Sequence, residues 1–148
     1  MAHYLFNFSR GGPEQAAALL RAKLWPVGGD ERYRDALAPG DLILIYLAPP
    51  GAEFVGQAEL ASAVQEWTSA QAEVDPGGST CGVLLSHAEV WDPPVPMTSV
   101  LPRVDQEASN PVVQANAKSG FRAGVIRITR HEYETVLAVR AEGLPAAG

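Results

Sequence analysis

Residues 42–60 read LILIYLAPPGAEFVGQAEL, two apolar runs joined by a Pro-Pro-Gly turn. The first run, Leu42 to Ala48, is bounded by turn residues and is too short for a typical helix, so it predicts a buried strand. The second run, Phe54 to Leu60, alternates as a returning strand does. We therefore predict an antiparallel β-hairpin here, in which Gly56 allows a bulge or a close backbone approach.

Further strands and helices are predicted on both sides of this hairpin. Apolar or aromatic runs predict strands at His3–Phe8, Val83–Trp91 and Phe121–Ile128. Helical periods and caps predict helices at Pro13–Leu24, Asp30–Leu37 and Asn110–Lys118, and one that begins at the capping box Thr129-Arg-His-Glu132. The polar residues 65–80 are predicted to be a mobile loop. This irregular mixture predicts the α+β class, as a mixed or antiparallel β-barrel with short peripheral helices.

The length and composition are typical of one globular domain. The chain has 148 residues, of which 47% are hydrophobic and 19% charged, and these fractions exclude a disordered protein. We expect a single domain over residues 1–142 and a disordered tail over residues 143–148. The sequence has no apolar run long enough to span a membrane and no secretory signal, so we expect a cytoplasmic protein.

The net charge argues against a protein that grips long nucleic acids over its whole surface. The 11 Lys and Arg residues stand against 17 Asp and Glu residues, which gives a formal net charge of −6. A surface that binds duplexes by counterion release is expected to be basic. A local pocket for one base or one small molecule needs no basic surface, because stacking and hydrogen bonds suffice.

Signatures of common active sites are absent from the sequence. It contains no Gly-x-Ser-x-Gly nucleophile elbow, no phosphate-binding loop ending in Gly-Lys-Ser/Thr and no His-Glu-x-x-His zinc motif. The histidines His3, His87 and His131 stand far apart without a carboxylate or cysteine at ligand spacing, so we expect no metal. Cys81 has no identifiable activating base and is interpreted as a structural thiol. These absences favour binding over catalysis without deciding between them, and we expect no cofactor.

Aromatic and polar residues in the first half of the chain are the candidates for binding a ligand. Most of these side chains are expected to lie in the core, because large aromatic residues ordinarily pack inside. Trp25 differs, since it stands at a helix end before Pro26 and a Gly-Gly loop, where a ring can form a pocket wall. An Arg or Asn beside such a ring can read the edge of a planar heterocycle. The set comprises Phe6, Asn7, Phe8, Trp25, Arg32, Tyr33, Arg34, Tyr46 and Phe54.

The order of these motifs resembles the EVE domain family of the PUA-like superfamily. As in that family, a short aromatic strand is followed by a Trp before an Arg-containing segment. A Pro-Gly-Asp turn then leads into an apolar strand that ends in Tyr, and a glycine-containing strand follows. The chain closes with a Leu-Pro-Arg-Val segment and a strand followed by a helix. The matching residues, which cover nearly the whole chain, are 4–8, 25–35, 39–46, 54–58, 101–104 and 126–133.

The resemblance implies a pseudo-barrel related to the YTH and ASCH domains, with a pocket for a flipped and modified nucleobase. On the matching positions, Trp25 would be the stacking wall, and Arg32 or Arg34 would contact the ligand. Asn7 with Tyr46 would line the pocket floor. Flipping a base out of a nucleic acid costs the least free energy when the nucleic acid is already single-stranded. The ligand-binding residues implied in this way are Asn7, Trp25, Arg32, Arg34, Tyr46 and Phe121.

Three functions are open at this point. The first is a noncatalytic reader of a modified base in DNA or RNA. The second is a binder of a free nucleoside, a nucleotide or another small planar ligand, which the net charge of −6 favours. The third is a hydrolase that acts on a nucleic-acid-like ligand, as in ASCH relatives. The sequence departs from the family in two ways. It has an excess of acidic residues, and it lacks a cluster of basic residues before Phe121. It does not name the ligand or reveal the oligomeric state.

Overall fold

A mixed sheet that curls into a half-barrel, flanked by short helices, forms the framework of the molecule, which confirms the predicted α+β architecture. The computed structural model describes residues 1–9, 11–29, 31–74, 79–104, 110, 112 and 124–143. The strands in these residues are β1 (His3–Phe8), β2 (Leu24–Pro26), β3 (Leu42–Leu47), β4 (Glu53–Leu60), β5 (Gln65–Glu66), β6 (Cys81–Pro96) and β7 (Val125–Ile128). The helices are α1 (Pro13–Ala22), α2 (Ser69–Val74), α3 (Met97–Val100) and α4 (Arg130–Gly143), with 3₁₀ turns at Arg34–Ala36 and Leu101–Arg103.

The predicted hairpin is confirmed and lies in the middle of the sheet. β3 and β4 pair antiparallel, with Ile45 opposite Gly56 and a shift of register after Ile45. β1 pairs in parallel with the other edge of β3, and β7 pairs antiparallel with β1. Both faces of β3 are buried, which explains why its sequence is apolar at every position. The strand order is β2-β6-β4-β3-β1-β7, and β5 pairs with β6.

β6 is longer than the sequence predicts, because it continues through a proline-rich segment to Pro96. Its ladder to β4 is interrupted between Val90 and Val95. Pro93 and Pro94 fall within this irregularity, where the N–H that proline lacks is not needed for the ladder. β6 therefore extends from β2 and β5 at one end to α3 at the other.

Two hydrophobic cores cover the two faces of the sheet. The first core lies beneath α1, whose Leu19 and Leu20 are fully buried. Gly56 permits this close packing, because a Cβ there would lie 2.5 Å from the Leu20 Cδ1 atom. The second core lies beneath α3 and α4. The expectation that most aromatic residues are core is confirmed: the first core contains Tyr4, Phe6, Phe8 and Trp25, and the second contains Tyr46, Phe54, Trp91 and Tyr133.

Helix α1 ends earlier than its helical period predicts. It stops at Ala22, and Lys23 adopts the left-handed backbone conformation with φ of 60°. Leu24 then begins β2, which pairs antiparallel with β6. The local period predicts that Leu24 continues the helix, but the backbone hydrogen bonds offered by a distant strand outweigh that weak preference.

Two further segments differ from the sequence predictions. The predicted helix over residues 30–37 is only a 3₁₀ turn at Arg34–Ala36, and Asp30, its predicted cap, lies outside the described residues. The predicted loop over residues 65–80 contains β5 and α2. Glu31 ties the first segment to the distant residues Gly124 and Val125, which a local interpretation of the sequence does not contain. Helix α2 instead begins at a local capping box that the sequence analysis missed: the Thr68 N–H donates to Gln71 Oε1 and the Gln71 N–H donates to Thr68 Oγ1.

The capping box of the last helix is confirmed. The Thr129 N–H donates to Glu132 Oε1 at 2.9 Å, and the Glu132 N–H donates to Thr129 Oγ1 at 3.1 Å. This helix, α4, includes Gly143, the first residue assigned to the tail, and residues 144–148 lie outside the described residues. Asn110 Oδ1 accepts from the Val112 N–H at 2.9 Å, as expected of a helix cap. Residues 113–123, which hold the rest of that predicted helix and the predicted start of β7, also lie outside the described part.

Candidate functional site

Trp25, which the sequence offers as a pocket wall, packs in the first core. It lies on β2 opposite Val83 of β6. The residue is only 4% exposed, and its ring centroid lies 5.4 Å from that of Phe8 and 6.4 Å from that of Phe6. Its indole therefore contributes to the stability of the fold, as buried aromatic residues do.

Three strand segments meet beside Trp25, around Gly82. Gly82 is paired with Pro26 of β2 on one side and with Gln65 of β5 on the other. A Cβ at Gly82 would collide with the ring of Trp67 and with the carbonyl oxygen of Trp25. Glycine is therefore required for the Trp67 ring to lie against the backbone here. Trp67 is half-buried, and its Nε1 is buried without a hydrogen-bond partner among the described residues.

Polar groups surround the thiol of Cys81, the residue that precedes Gly82 in β6. The Cys81 thiol donates to the Val27 carbonyl oxygen at 3.1 Å, and Arg34 Nη2 lies 3.8 Å from the sulfur. The Arg34 Nε is buried and has no partner in the described part of the chain. Its Nη1 lies 3.7 Å from the carboxylate of Asp35, whose side chain is 98% exposed, so that ion pair is weak. We refer to Val27, Arg34, Trp67, Cys81 and Gly82 as the strand-end site.

The two candidate arginines occupy different positions. Arg32 is exposed, and its guanidinium lies over the ring of Tyr33 at 5.4 Å from the centroid. Arg34 has only 34% of its side-chain surface exposed and reaches Cys81. Of the two, Arg34 joins the strand-end site. The sequence could not distinguish them, because both fall in the same short segment and their directions depend on its turn.

Glu31 fastens the segment that carries Arg34. Its carboxylate accepts from the Gly124 N–H at 2.8 Å and from the Val125 N–H at 3.2 Å. The Gly124 carbonyl oxygen in turn accepts from the Asn7 N–H at 2.8 Å. The Arg34 N–H donates to the Glu31 carbonyl oxygen at 3.2 Å and closes the turn. Sequence reasoning missed Glu31, because its partners lie more than 90 positions away along the chain.

Asn7 and Tyr46 lie together, on the face of the sheet opposite to Trp25. Phe6 and Phe8 belong to the first core, so the side chain of Asn7 between them points to the other face. Tyr46 is the register partner of Asn7 and belongs to the second core. Its hydroxyl is buried without a partner among the described residues, and burial raises the pKa of Tyr46 to about 12. The structure thus brings these two residues together but places their side chains away from Trp25.

Trp67 is the aromatic residue of this region that sequence reasoning missed. It lies between β5 and α2, in the segment interpreted as a polar loop. The available signal was a large aromatic residue in an otherwise polar run, which is unusual for a solvated loop. Phe121, the remaining residue implied by the resemblance, lies outside the described residues.

A cavity of about 180 Å³ lies at the far end of β6 from the strand-end site. Its walls are the prolines of β6, Ser99, and Val139 and Arg140 of α4. The Arg140 guanidinium lies 4.9 Å from the ring centroid of Trp91, and its Nη2 lies 2.7 Å from Glu89 Oε1. Because the Arg140 guanidinium already pairs with Glu89, it is less available to a polar ligand than the Arg34 guanidinium of the strand-end site is.

The described part of the chain holds neither a metal-binding cluster nor a membrane-spanning helix. Across the described residues, no group of three or more His, Cys, Asp or Glu side chains is placed to hold a metal ion. None of the helices in that part of the chain is long and apolar enough to cross a membrane.

No family model and no curated protein matches this sequence, but solved structures match it. The YTH domain of MRB1 from Zygosaccharomyces rouxii, in complex with N6-methyladenosine RNA, is 15% identical with a TM-score of 0.63 and covers 93% of this chain and 86% of that chain. Human THYN1, in complex with DNA containing 5-methylcytosine, is 13% identical with a TM-score of 0.59. The match covers 98% of this chain and 100% of that chain. A ZmASCH protein from Zymomonas mobilis is 13% identical with a TM-score of 0.55 and covers 93% and 96%. At these identities the similarity establishes the architecture alone: the chain has an α+β, PUA-like barrel fold.

Proposed function

We propose that this protein is a noncatalytic module of the EVE type that binds a modified nucleobase of DNA or RNA at the strand-end site. The observation that carries the proposal is the half-buried ring of Trp67, which lies against the Gly82 backbone near the start of β6. A flipped base needs a ring to stack on and polar groups that meet its edge. Trp67, which lies against Gly82, offers the ring, and Arg34, which reaches the preceding residue Cys81, offers polar groups.

Solved structures of the same fold support the choice of ligand. The MRB1 YTH domain is in complex with N6-methyladenosine RNA, and THYN1 is in complex with DNA that contains 5-methylcytosine. The net charge of −6 agrees with a site that grips one base rather than a long backbone. In this proposal Trp25 supports the site from the first core, and Trp67 supplies the stacking face.

The test is the affinity of Trp67→Ala for short single-stranded oligonucleotides. These carry one central 5-methylcytosine, N6-methyladenosine or unmodified base, and fluorescence anisotropy gives the dissociation constants. The parent should bind one modified strand more tightly than its unmodified match. Trp67→Ala should bind about 5- to 150-fold more weakly, which is the worth of one base–aromatic stack. Trp67→Phe, which keeps an aromatic face, should lose less affinity than Trp67→Ala.

Arg32→Ala is the matched control, because Arg32 is exposed and lies outside the strand-end site. Its affinity should equal that of the parent, and circular dichroism should show that each variant is folded. A folded Trp67→Ala protein with parental affinity would exclude the proposed stacking face. Tighter binding of the free nucleoside than of the oligonucleotide would favour the small-ligand alternative.

A hydrolase is the second candidate, which the similarity to a ZmASCH protein leaves open. The present proposal expects the mass of each oligonucleotide and free nucleoside to stay unchanged after prolonged incubation with the protein. A hydrolysed product that forms with the parent but not with Trp67→Ala would show instead that the protein is a hydrolase that acts at this site.

A further inference from the structure

The cavity at the far end of β6 has walls that are mostly apolar. Its volume is about 180 Å³, and it is lined by the proline-rich residues 93–96 of β6 and by Val139 of α4. An apolar cavity of about 150 Å³ is large enough to hold benzene. This cavity therefore accommodates a compact apolar body of about the size of one aromatic ring.

Arg140 brings a positive charge to the wall of this cavity. Its guanidinium lies 4.9 Å from the centroid of the Trp91 ring, and its Nη2 donates to Glu89 Oε1 at 2.7 Å. These two contacts fix the guanidinium before a ligand arrives, which lowers the entropy lost on binding. The Arg140 side chain keeps 21% of its surface exposed, so a ligand in the cavity can reach it.

The polar groups in the cavity wall favour an anion. A guanidinium carries five N–H donors, and the hydrogen bond to Glu89 uses one of those of Arg140. Ser99 adds a hydroxyl, and among the described residues that line the cavity none is acidic. A carboxylate supplies two acceptor oxygens, and its hydrogen bonds with a guanidinium are stronger than those between neutral groups.

We infer that this cavity is a second binding site, separate from the strand-end site, for a small carboxylate with a compact apolar body. The apolar body lies against the prolines and Val139, so its removal from water contributes to the affinity. The carboxylate accepts from the Arg140 guanidinium and from the Ser99 hydroxyl, so these groups select for charge. Glu89 competes with the ligand for the same guanidinium and weakens its binding.

Benzoate is the probe, because it joins one ring to one carboxylate. Titration into the full-length protein, followed by the NMR shifts of assigned backbone amides, gives both the position of the site and the dissociation constant. The amides of Val95, Ser99 and Gly143, which line the cavity, should shift. Benzamide has the same shape without the charge and should bind about 10-fold more weakly, because it makes no charge-assisted hydrogen bonds.

Glu89→Gln is the decisive variant, because removing the competing carboxylate should tighten the binding of benzoate, by up to about 5-fold. Damage to the fold would lower the affinity instead. Arg140→Gln should bind benzoate and benzamide equally. Arg103→Gln is the matched control, because Arg103 also pairs with a glutamate, Glu142 of α4, but does not line the cavity. It should bind benzoate as the parent does.

Three results would overturn this inference. They are equal affinity of the parent for benzoate and benzamide, amide shifts confined to residues away from the cavity, and a folded Glu89→Gln protein that binds benzoate no more tightly than the parent. Trp67→Ala should bind benzoate with parental affinity, so failure of the proposed function at the strand-end site leaves this inference unaffected.

Discussion

Trp25 and Trp67 lie on either side of the Gly82 backbone but do different work. The Trp25 indole is buried against Phe6 and Phe8, while the half-buried Trp67 ring occupies the space that a Cβ of residue 82 would need. Burial separates the two tryptophans: a ring that is 4% exposed stabilises the fold, and the half-buried ring of Trp67 is the one that we propose to receive a ligand.

Trp25→Ala should therefore lower the free energy of unfolding by about 3–5 kcal/mol, which is the usual cost of truncating a buried Trp or Phe. Urea unfolding followed by circular dichroism measures this change. Trp25→Phe, which preserves an aromatic ring against Phe8, is the matched control and should cost less. A Trp25→Ala protein that is as stable as the parent but binds no oligonucleotide would make Trp25 a pocket wall.

The buried hydroxyl of Tyr46 should make stability depend on pH in alkaline solution. Burial raises the pKa of Tyr46 from its ordinary value of 10.0 to about 12, so the folded state holds this proton more tightly than the unfolded chain does. Stability is therefore intact below pH 10 and declines as the pH rises through the interval up to about 12. Tyr46→Phe should reduce that decline and leave stability at neutral pH nearly unchanged, because the hydroxyl has no partner among the described residues.

Urea midpoints of the parent and of Tyr46→Phe, measured between neutral pH and about pH 11, test this expectation. Tyr33→Phe, at a half-buried position in contact with the first core, controls for the loss of a tyrosine hydroxyl. Parallel pH curves for the parent and Tyr46→Phe would contradict the role given to Tyr46.

At the scale of elements, one carboxylate joins the turn before β3 to the start of β7. Glu31 accepts from the N–H groups of Gly124 and Val125, and Gly124 is bonded in turn to β1 through the Asn7 N–H. This chain of hydrogen bonds ties the turn that carries Arg34 to two neighbouring strands. It acts on the site by positioning, since Glu31 itself is engaged with backbone donors.

Glu31→Ala should therefore expose the amides of Gly124 and Val125 to exchange. We expect faster amide hydrogen exchange at these two positions and a loss of stability of about 1–3 kcal/mol, because two donors lose their acceptor. Glu14→Ala, at an exposed position in the first turn of α1, is the control and should leave both amides protected. Unchanged exchange at Gly124 and Val125 would contradict the link.

At the scale of the whole molecule, the charge of −6 limits how the protein can approach a nucleic acid. Binding through one stacked base and one arginine neutralises few phosphates. The affinity for single strands should therefore fall by less than about 10-fold between 50 and 200 mM salt, since the slope scales with the number of phosphate contacts. Anisotropy titrations at these two salt concentrations measure the slope. A loss of about 1000-fold would instead indicate an extended basic groove.

The sequence by itself determined the elements whose signals are local. The β3–β4 hairpin follows from two short apolar runs and a turn, and the start of α4 follows from a capping box whose bonds span three residues. The burial of most aromatic residues followed from their size and apolar surface. The order of the motifs along the chain was enough to predict the PUA-like architecture.

Only the tertiary structure decided where the candidate site lies. The end of α1, the strand nature of Leu24 and the position of the Trp67 ring all depend on pairing with β6, whose residues lie far along the chain. The choice of Arg34 over Arg32 depends on a turn held by the distant Gly124 and Val125. Propensity and periodicity describe a residue and its near neighbours, whereas a binding site is made by contacts between residues that folding alone brings together.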